Sequence, residues 1–247
     1  MQILKKIYRS SYPGEEVITS LTYEGGEWKP ETEHVPNSVF NTYTTTQAIA
    51  IGNGESRLGF DLRHIAEHKG GLFGANRLQS YGCNALYRDF TPDFLVAVGD
   101  TIIEEIANSG YCDNNIVYAH GEHLLDYPSK FYLIPQNVSY DAGALAAYMA
   151  CFDGHKKIFL MGYDGYYTGL ESVNNVYKDT NGYPESIHQQ DNAFWQMTLG
   201  HVMGTYTDVE FVRVMPTANY IVSDDFLRLP NFRQISFRDF VLEADIG

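Results

Sequence analysis

Residues 48–56 read AIAIGNGES, a short apolar run that enters two glycines and then residues that suit the start of a helix. This pattern is typical of a buried strand that turns into a helix. The same rhythm recurs along the chain. Further apolar runs with polar ends lie at 71–76, 94–100, 115–120, 158–164 and 209–216, and helices are predicted between the runs at 55–68, 100–109, 142–152 and 190–205. Such alternation predicts an α/β fold, a Rossmann-like, doubly wound, mainly parallel sheet with helices on both faces.

The first 46 residues differ in sequence pattern from the rest of the chain. Residues 17–23 read VITSLTY and are followed by Gly25 and Gly26, which predicts a β-hairpin or an accessory arm. Residues 47–247 are expected to form one nucleotide-binding domain, because α/β folds of about 200 residues commonly fold as a single unit.

The charge balance excludes several classes of partner. The 247 residues contain 17 Lys and Arg against 31 Asp and Glu, a formal net charge of -14. Such acidity argues against binding to nucleic-acid phosphates and to anionic membranes. Three cysteines with no paired spacing indicate free thiols. With no export signal and no apolar segment of membrane-spanning length, we expect a cytoplasmic protein.

The glycine loop after the first strand has the composition of a phosphate loop. Glycine permits close approach of the backbone to a ligand, and helix N-termini bind anions. The dinucleotide fingerprint fails, however, because Arg57 stands where a third glycine is needed and Asn76, not an acid, follows the predicted second strand. The alternative is a plain strand-to-helix turn. The residues predicted to bind a nucleotide are Gly52, Asn53, Gly54, Glu55, Ser56 and Asn76.

A second motif occupies residues 139–164. Residues 142–152 are apolar on every face, which predicts a buried helix, and the strand that follows ends in Gly162-Tyr163-Asp164. The loop GNGES, the asparagine after the second strand and residues 143–166 resemble the bacterial CMP-sialic-acid-dependent sialyltransferases. They also resemble the related 6-hydroxymethylpterin diphosphokinase-like family. The resemblance covers roughly residues 47–215.

The resemblance implies roles for particular residues. The first loop and Asn76 would hold a cytidine nucleotide, Tyr166 would support the donor phosphate, and His188 would be the base that deprotonates the acceptor hydroxyl. Further contacts to the nucleotide donor would come from Asp141, Ala142, Gly143, Gly162 and Asp164.

One departure bears on the donor. Asp141 and Ala142 stand where the family has two hydroxyl residues, and a carboxylate there would repel the carboxylate of a sialic acid. A neutral sugar or a metal-bound phosphate is therefore more plausible. In a diphosphokinase, Asp100 and Asp164 would be the best candidates to hold magnesium, with Asp141 third.

These observations predict a nucleotide-dependent transferase, a glycosyltransferase with a nucleotide-sugar donor of the CMP-sugar type, a histidine general base and no metal. One alternative is an ATP- and magnesium-dependent diphosphokinase with a pterin acceptor. The other is a non-catalytic protein that binds a nucleotide or a sugar. The expected partners are small molecules, with neither nucleic acid nor membrane among them, and a homo-oligomer stays open.

Overall fold

A computed structural model describes residues 5–12, 15–36, 45–68, 70, 75–164, 174–183, 189–219 and 221–247. Its main feature is an eight-stranded sheet in which every pair of neighbouring strands is parallel. The strands are β4 (Gln47–Ile51), β5 (Gln79–Cys83), β6 (Phe94–Val96), β7 (Ile116–Ala119), β8 (Tyr132–Leu133), β9 (Lys157–Met161), β10 (Glu210–Met215) and β11 (Phe232–Ser236). The predicted α/β class is confirmed.

The strand order is β11-β10-β9-β4-β5-β6-β7-β8. From β4 the chain moves outward in one direction through β8, and it then returns to place β9 on the other side of β4. Because parallel crossovers are right-handed, the connections of these two halves lie on opposite faces of the sheet. The order therefore reverses between β4 and β9, where open α/β sheets bind their ligands.

The helices are α1 (Arg63–Ala66), α2 (Asp100–Asn108), α3 (Gly121–Asp126), α4 (Ala142–Phe152), α5 (Gln189–Thr205), α6 (Asp224–Leu227) and α7 (Phe237–Glu243). Helix α4 is the centre of the core. Residues 142–151 are all buried, and the helix packs on β4, β5 and β6 as well as on α5. The prediction of a buried helix is confirmed. No helix in the described parts of the chain has the length and apolar character needed to cross a bilayer.

The predicted helix at 55–68 is wrong as a single element. The chain forms a 3-10 helix at Glu55–Gly59 and then the short α1. Phe60 between them is extended, with φ of -112°, and the Asp61 carboxylate accepts a hydrogen bond from the Arg63 amide at 3.0 Å. The extended residue ends the first helix, and the Asp61 side chain forms a turn with Arg63 at the start of the second.

The apolar run at 71–75 is not the second strand of the parallel sheet. Residues 71–74 lie outside the described part of the chain, Ala75 belongs to no strand, and the second parallel strand is β5. The sequence of β5, QSYGC, is polar, yet all five residues are buried. Ser80 is satisfied by Asp93, whose carboxylate accepts from the Ser80 amide at 2.9 Å and from its hydroxyl at 3.0 Å. Because the buried polar groups of this strand are hydrogen-bonded, the strand can be buried without an apolar run in its sequence.

A separate antiparallel sheet precedes the parallel one. It contains β1 (Lys5–Tyr12), β2 (Glu15–Glu24) and β3 (Glu27–Pro36), in the order β1-β2-β3. Gly25 and Gly26, with φ of +64° and +88°, form the turn between β2 and β3, as a two-residue hairpin loop with two positive φ angles requires. The predicted hairpin is confirmed and extended by β1.

Candidate functional site

The loops after β4 and β9 meet where the strand order reverses. The Gly52 amide donates to the Met161 carbonyl at 2.8 Å, and the Gly54 amide donates to the Gly162 carbonyl at 2.9 Å. A Cβ atom on Gly52 would lie 2.6 Å from the Gly162 carbonyl oxygen, and Gly162 itself has φ of +73°. These glycines are needed because two backbones touch, a demand that exists before any ligand arrives.

Asp164 fastens the two loops together. Its carboxylate accepts a hydrogen bond from the Ser56 amide at 2.8 Å and a short one from the Ser56 hydroxyl. Asp164 is 6% exposed, and burial raises the pKa of its carboxyl group although the Ser56 hydrogen bonds act in the opposite direction. A Cβ on Gly54 would overlap this carboxyl group. Asp164 thus fixes the conformation of the glycine loop through its contacts with Ser56 and Gly54.

The backbone amides of the glycine loop are already engaged. Glu55 donates its amide to the Asn174 side-chain oxygen at 3.1 Å, and Ser56 donates its amide to Asp164. The Glu55 carboxylate is paired with Lys178 at 2.9 Å. A phosphate could take these amides only by displacing protein acceptors. The 3-10 turn therefore does not reproduce an open phosphate loop.

Asn53 has unused hydrogen-bonding capacity at this junction. Its side-chain nitrogen donates to the Tyr183 hydroxyl at 3.1 Å. Its side-chain oxygen is buried and has no hydrogen-bond partner among the described residues. Buried polar atoms without partners are uncommon and call for an explanation such as a missing ligand or water.

Asn76 lies at the wrong edge of the sheet for the role predicted. It is exposed and precedes β5, so it is near the amino ends of the strands. Its neighbour Arg77 pairs with Asp245 at 2.5 Å and its carbonyl accepts from Thr45, the residue two before β4. The prediction placed Asn76 after the second parallel strand, whereas Asn76 precedes that strand, β5.

The asparagine that does follow the second parallel strand is Asn84. It has φ of +48°, and its side-chain oxygen accepts a hydrogen bond from the Val98 amide at 2.9 Å. Tyr183, which binds Asn53, also accepts from the amide of Ala85 at 3.4 Å. Asn84 and Asn53 therefore border the same tyrosine. The sequence GCNAL, read with the correct strand end, would have identified Asn84.

The second motif, residues 139–164, reaches the same edge of the sheet at the start of α4. Asp141 caps this helix, its carboxylate accepting from the Gly143 amide at 2.9 Å. The Tyr163 hydroxyl donates to the Gly143 carbonyl at 2.7 Å, while Ala142 is buried. Burial raises the pKa of the Cys83 thiol, and the Asp141 carboxylate adds to this rise. Residues 141–143 are thus joined to the loop after β9.

Residues 174–183 form a cover over the residues that follow β4 and β5. Tyrosine side chains anchor this cover. The Arg57 guanidinium donates to the Tyr177 hydroxyl at 2.7 Å and to the Asp89 carboxylate at 3.2 Å. Arg88 lies 5.6 Å from the centre of the Tyr177 ring and 6.0 Å from that of Tyr183. Aromatic, cationic and acidic groups therefore hold this cover in place.

Arg213 is a contributor that sequence reasoning missed. It is buried on β10 and donates to the carbonyls of Tyr163 at 2.7 Å and Ile221 at 2.8 Å, and also to that of Asp164. A guanidinium bound to the backbone of the loop after β9 fixes the path of that loop. The signal was an arginine in the middle of the apolar run EFVRVM.

The remaining predicted residues are not brought together by the described chain. Tyr166 and His188 lie outside the described residues. The Asp100 side chain is 98% exposed and lies 4.0 Å from His123, whereas Asp164 is buried against Ser56. Within the described ranges, no cluster of three or more His, Cys, Asp or Glu is arranged to hold a metal ion.

The fold and this junction define a class, an α/β protein with a doubly wound parallel sheet whose candidate site lies at the reversal of strand order. Comparison with known proteins found no matching family model and no significant similarity to a curated protein or to a solved structure.

Proposed function

We propose that the protein binds a nucleotide at the carboxyl ends of β4, β5 and β9 and acts as a nucleotide-dependent transferase, with a nucleotide-sugar as donor. The observation that carries the proposal is the buried side-chain oxygen of Asn53 at the junction between β4 and β9, which has no partner in the described parts of the chain. An acceptor at this depth suits a donor group on a base or a ribose. Asn84, beside the same tyrosine, replaces Asn76 as the second asparagine of the proposed site.

Electrostatics limits how such a ligand is held. Each nearby arginine already has protein acceptors: Arg57 binds Asp89, Arg88 binds Glu105 and Arg213 binds backbone carbonyls. Asp141 adds a negative charge at the start of α4. This favours a neutral sugar over an acidic one, since a carboxylated sugar would meet Asp141 while these three arginines are bound to protein acceptors. The CMP-type donor and the roles of Tyr166 and His188 rest on the sialyltransferase resemblance.

The experiment is a thermal-shift panel with CMP, UDP, GDP, ADP and ATP, each with and without Mg²⁺. A nucleotide at 100 times its Kd should stabilise the protein by about 2.7 kcal/mol. A response to CMP without metal supports the proposal. A response confined to ATP with magnesium would favour a diphosphokinase instead, and no response to any nucleotide would overturn nucleotide binding altogether.

A matched pair of variants locates the site. Asn53→Ala removes the unpartnered oxygen and should weaken nucleotide binding about tenfold, the effect of roughly one hydrogen bond. Asn76→Ala changes an exposed asparagine at the opposite edge and should leave binding unchanged. If Asn76→Ala weakens binding and Asn53→Ala does not, the site is elsewhere. Transfer is tested by donor turnover, which His188→Ala should abolish while binding persists.

A further inference from the structure

The Tyr183 hydroxyl lies where nitrogen donors from the loops after β4 and β5 converge. The Asn53 side-chain nitrogen donates to it at 3.1 Å, and the Ala85 amide donates to it at 3.4 Å. Burial raises the pKa of Tyr183, whereas hydrogen bonds from the Ala85 amide and the Asn84 side chain act to lower it. Because the Asn84 side-chain oxygen accepts from the Val98 amide, the Asn84 side-chain nitrogen is the atom that faces Tyr183. These donors form an oxygen-binding position at the carboxyl ends of β4 and β5.

The oxygen that fills this position belongs to the cover, residues 174–183, and not to either loop. Tyr183 is the last residue of the cover, and its amide donates to the Thr180 carbonyl at 2.9 Å. Asn53 and Asn84 instead follow neighbouring parallel strands, on the side of the sheet where open α/β folds bind their ligands. A side chain from one segment therefore occupies a polar position that two other segments form.

Tyr183 engages only half of the Asn53 side-chain amide. The amide nitrogen binds the tyrosine, while the amide oxygen is buried and has no partner among the described residues. An amide of this kind matches a ligand that offers an acceptor atom beside a hydrogen donor. The pairing edge of a nucleobase has this pattern, whereas an ionised phosphate group offers acceptors only. The unfilled half of Asn53 therefore favours a base over a phosphate at this position.

We propose that the Tyr183 hydroxyl occupies the position of the base, and that a nucleotide binds by displacing Tyr183 from Asn53 and Asn84. The cover then competes with the ligand, because Tyr183 and the base use the same donors. This inference rests on the proposed nucleotide binding, and it assigns recognition of the base to the two asparagines. Competition raises the apparent Kd, because only molecules in which Tyr183 has left the position can bind the base.

Tyr183→Phe distinguishes a competing tyrosine from one that only anchors the cover. An anchor that loses its hydroxyl lowers the stability of the free protein and leaves nucleotide affinity unchanged or weaker. A competitor that loses its hydroxyl also lowers the stability of the free protein, but nucleotide affinity rises. The affinity rises because the closed form loses hydrogen bonds that the nucleotide-bound form does not contain.

The test is calorimetric titration of the wild type and Tyr183→Phe with the five nucleotides of the thermal-shift panel and with ribose 5-phosphate. A nucleotide that binds should bind Tyr183→Phe about three- to tenfold more tightly, the effect of roughly one hydrogen bond. Ribose 5-phosphate has no base and should show no gain; an equal gain would overturn the assignment to the base. If a nucleotide binds and the substitution does not tighten it, competition is wrong and nucleotide binding stands. If no nucleotide binds either protein, nucleotide binding fails and this inference fails with it.

Hydrogen exchange in the wild type gives a second measurement, which also serves if Tyr183→Phe does not fold. The amides of Thr180 and Tyr183 are bonded within the cover, so their exchange should become faster when a nucleotide saturates the protein. Slower or unchanged exchange would contradict displacement of the cover. Tyr206→Phe is the matched control, since it removes a partly buried hydroxyl that precedes β10 at the opposite edge of the sheet. Equal tightening in Tyr206→Phe would assign the effect to general loss of stability and overturn the competition.

Discussion

At the scale of single residues, Gly54 shows how one missing side chain shapes the candidate site. Its φ of -66° is accessible to any residue, so no backbone strain requires glycine. What requires it is space, because a Cβ atom would overlap the Asp164 carboxyl group that binds Ser56. The fixed contact is between two loops of the protein, and a ligand would meet a surface that this contact has already organised.

Gly54→Ala should therefore destabilise the protein by about 1–3 kcal/mol, the usual cost of inserting an atom into a packed site. Gly204→Ala is the matched control. Gly204 lies in α5 with nothing within 4 Å of its would-be Cβ, so alanine should be neutral or stabilise by up to about 1 kcal/mol. Urea unfolding of both variants measures the difference, and equal stabilities would contradict the packing argument.

The sequence allowed part of this residue pattern to be predicted. Gly52, Gly54, Ser56, Gly162 and Asp164 were assigned to one site, and the structure brings them together. The reason for these glycines cannot be read from the sequence, because a glycine that makes room for a ligand and one that makes room for another loop look identical. Only the pairing of β4 with β9 distinguishes the two.

At the scale of elements, the sequence pattern does not reveal two segments, the second strand and residues 174–183, and the physical reason is the same for both. The apolar run at 71–75 predicts the second strand, whereas the second strand is QSYGC of β5, which contains no run of aliphatic residues. The segment 174–183 has no regular periodicity and was not recognised as part of the site. In both cases long-range side-chain bonds, Ser80 with Asp93 and Tyr177 with Arg57, hold the element. Periodicity does not report such bonds.

The cover formed by residues 174–183 should depend on Tyr177. Tyr177→Phe removes a hydroxyl bound to Arg57 and Asp89. The buried Arg57 guanidinium then lacks one of its partners, which should cost about 1–3 kcal/mol. Hydrogen exchange should rise at the amides of Lys178, Thr180 and Tyr183, which are bonded within the cover. Protection unchanged at these amides would show that the cover is held by other contacts.

Tyr140→Phe provides a control for that experiment. The Tyr140 ring packs on Tyr148 and His201, and within the described chain no hydrogen bond is assigned to its hydroxyl. Its removal should leave both global stability and exchange in 174–183 near wild type. A similar effect from both substitutions would point to a general loss of tyrosine packing rather than to the Arg57 contact.

At the scale of the whole molecule, several acidic side chains form ion pairs with basic side chains of neighbouring elements. Glu210 and Glu243 bind Lys157 and Arg233 and thereby join β9, β10, β11 and α7. Glu105 on α2 binds Arg88, which also reaches the cover. The strands and helices beyond residue 215 were not predicted from sequence, and these ion pairs are part of what holds them to the sheet.

Glu105 should make the largest single contribution to acid sensitivity among these pairs. Hydrogen bonding to Arg88 lowers the pKa of Glu105 to about 2. A carboxyl group with a lowered folded pKa stabilises the protein above its unfolded pKa, and this contribution is lost as the pH falls toward the folded pKa. Glu105→Gln should cost about 1–3 kcal/mol at neutral pH, the range for hydrogen bonds to charged groups.

The pH dependence separates this effect from a simple loss of packing. The stability difference between wild type and Glu105→Gln should shrink steadily from about pH 5 toward about pH 2, because the wild-type carboxylate becomes protonated and loses its advantage over the amide. Glu104→Gln changes the neighbouring, exposed residue of α2 and should show no such trend. Chemical unfolding at several pH values measures both differences. If the loss of stability in Glu105→Gln stays constant down to about pH 2, the shape of the Glu105 side chain, and not its charge, accounts for the stability that this contact provides.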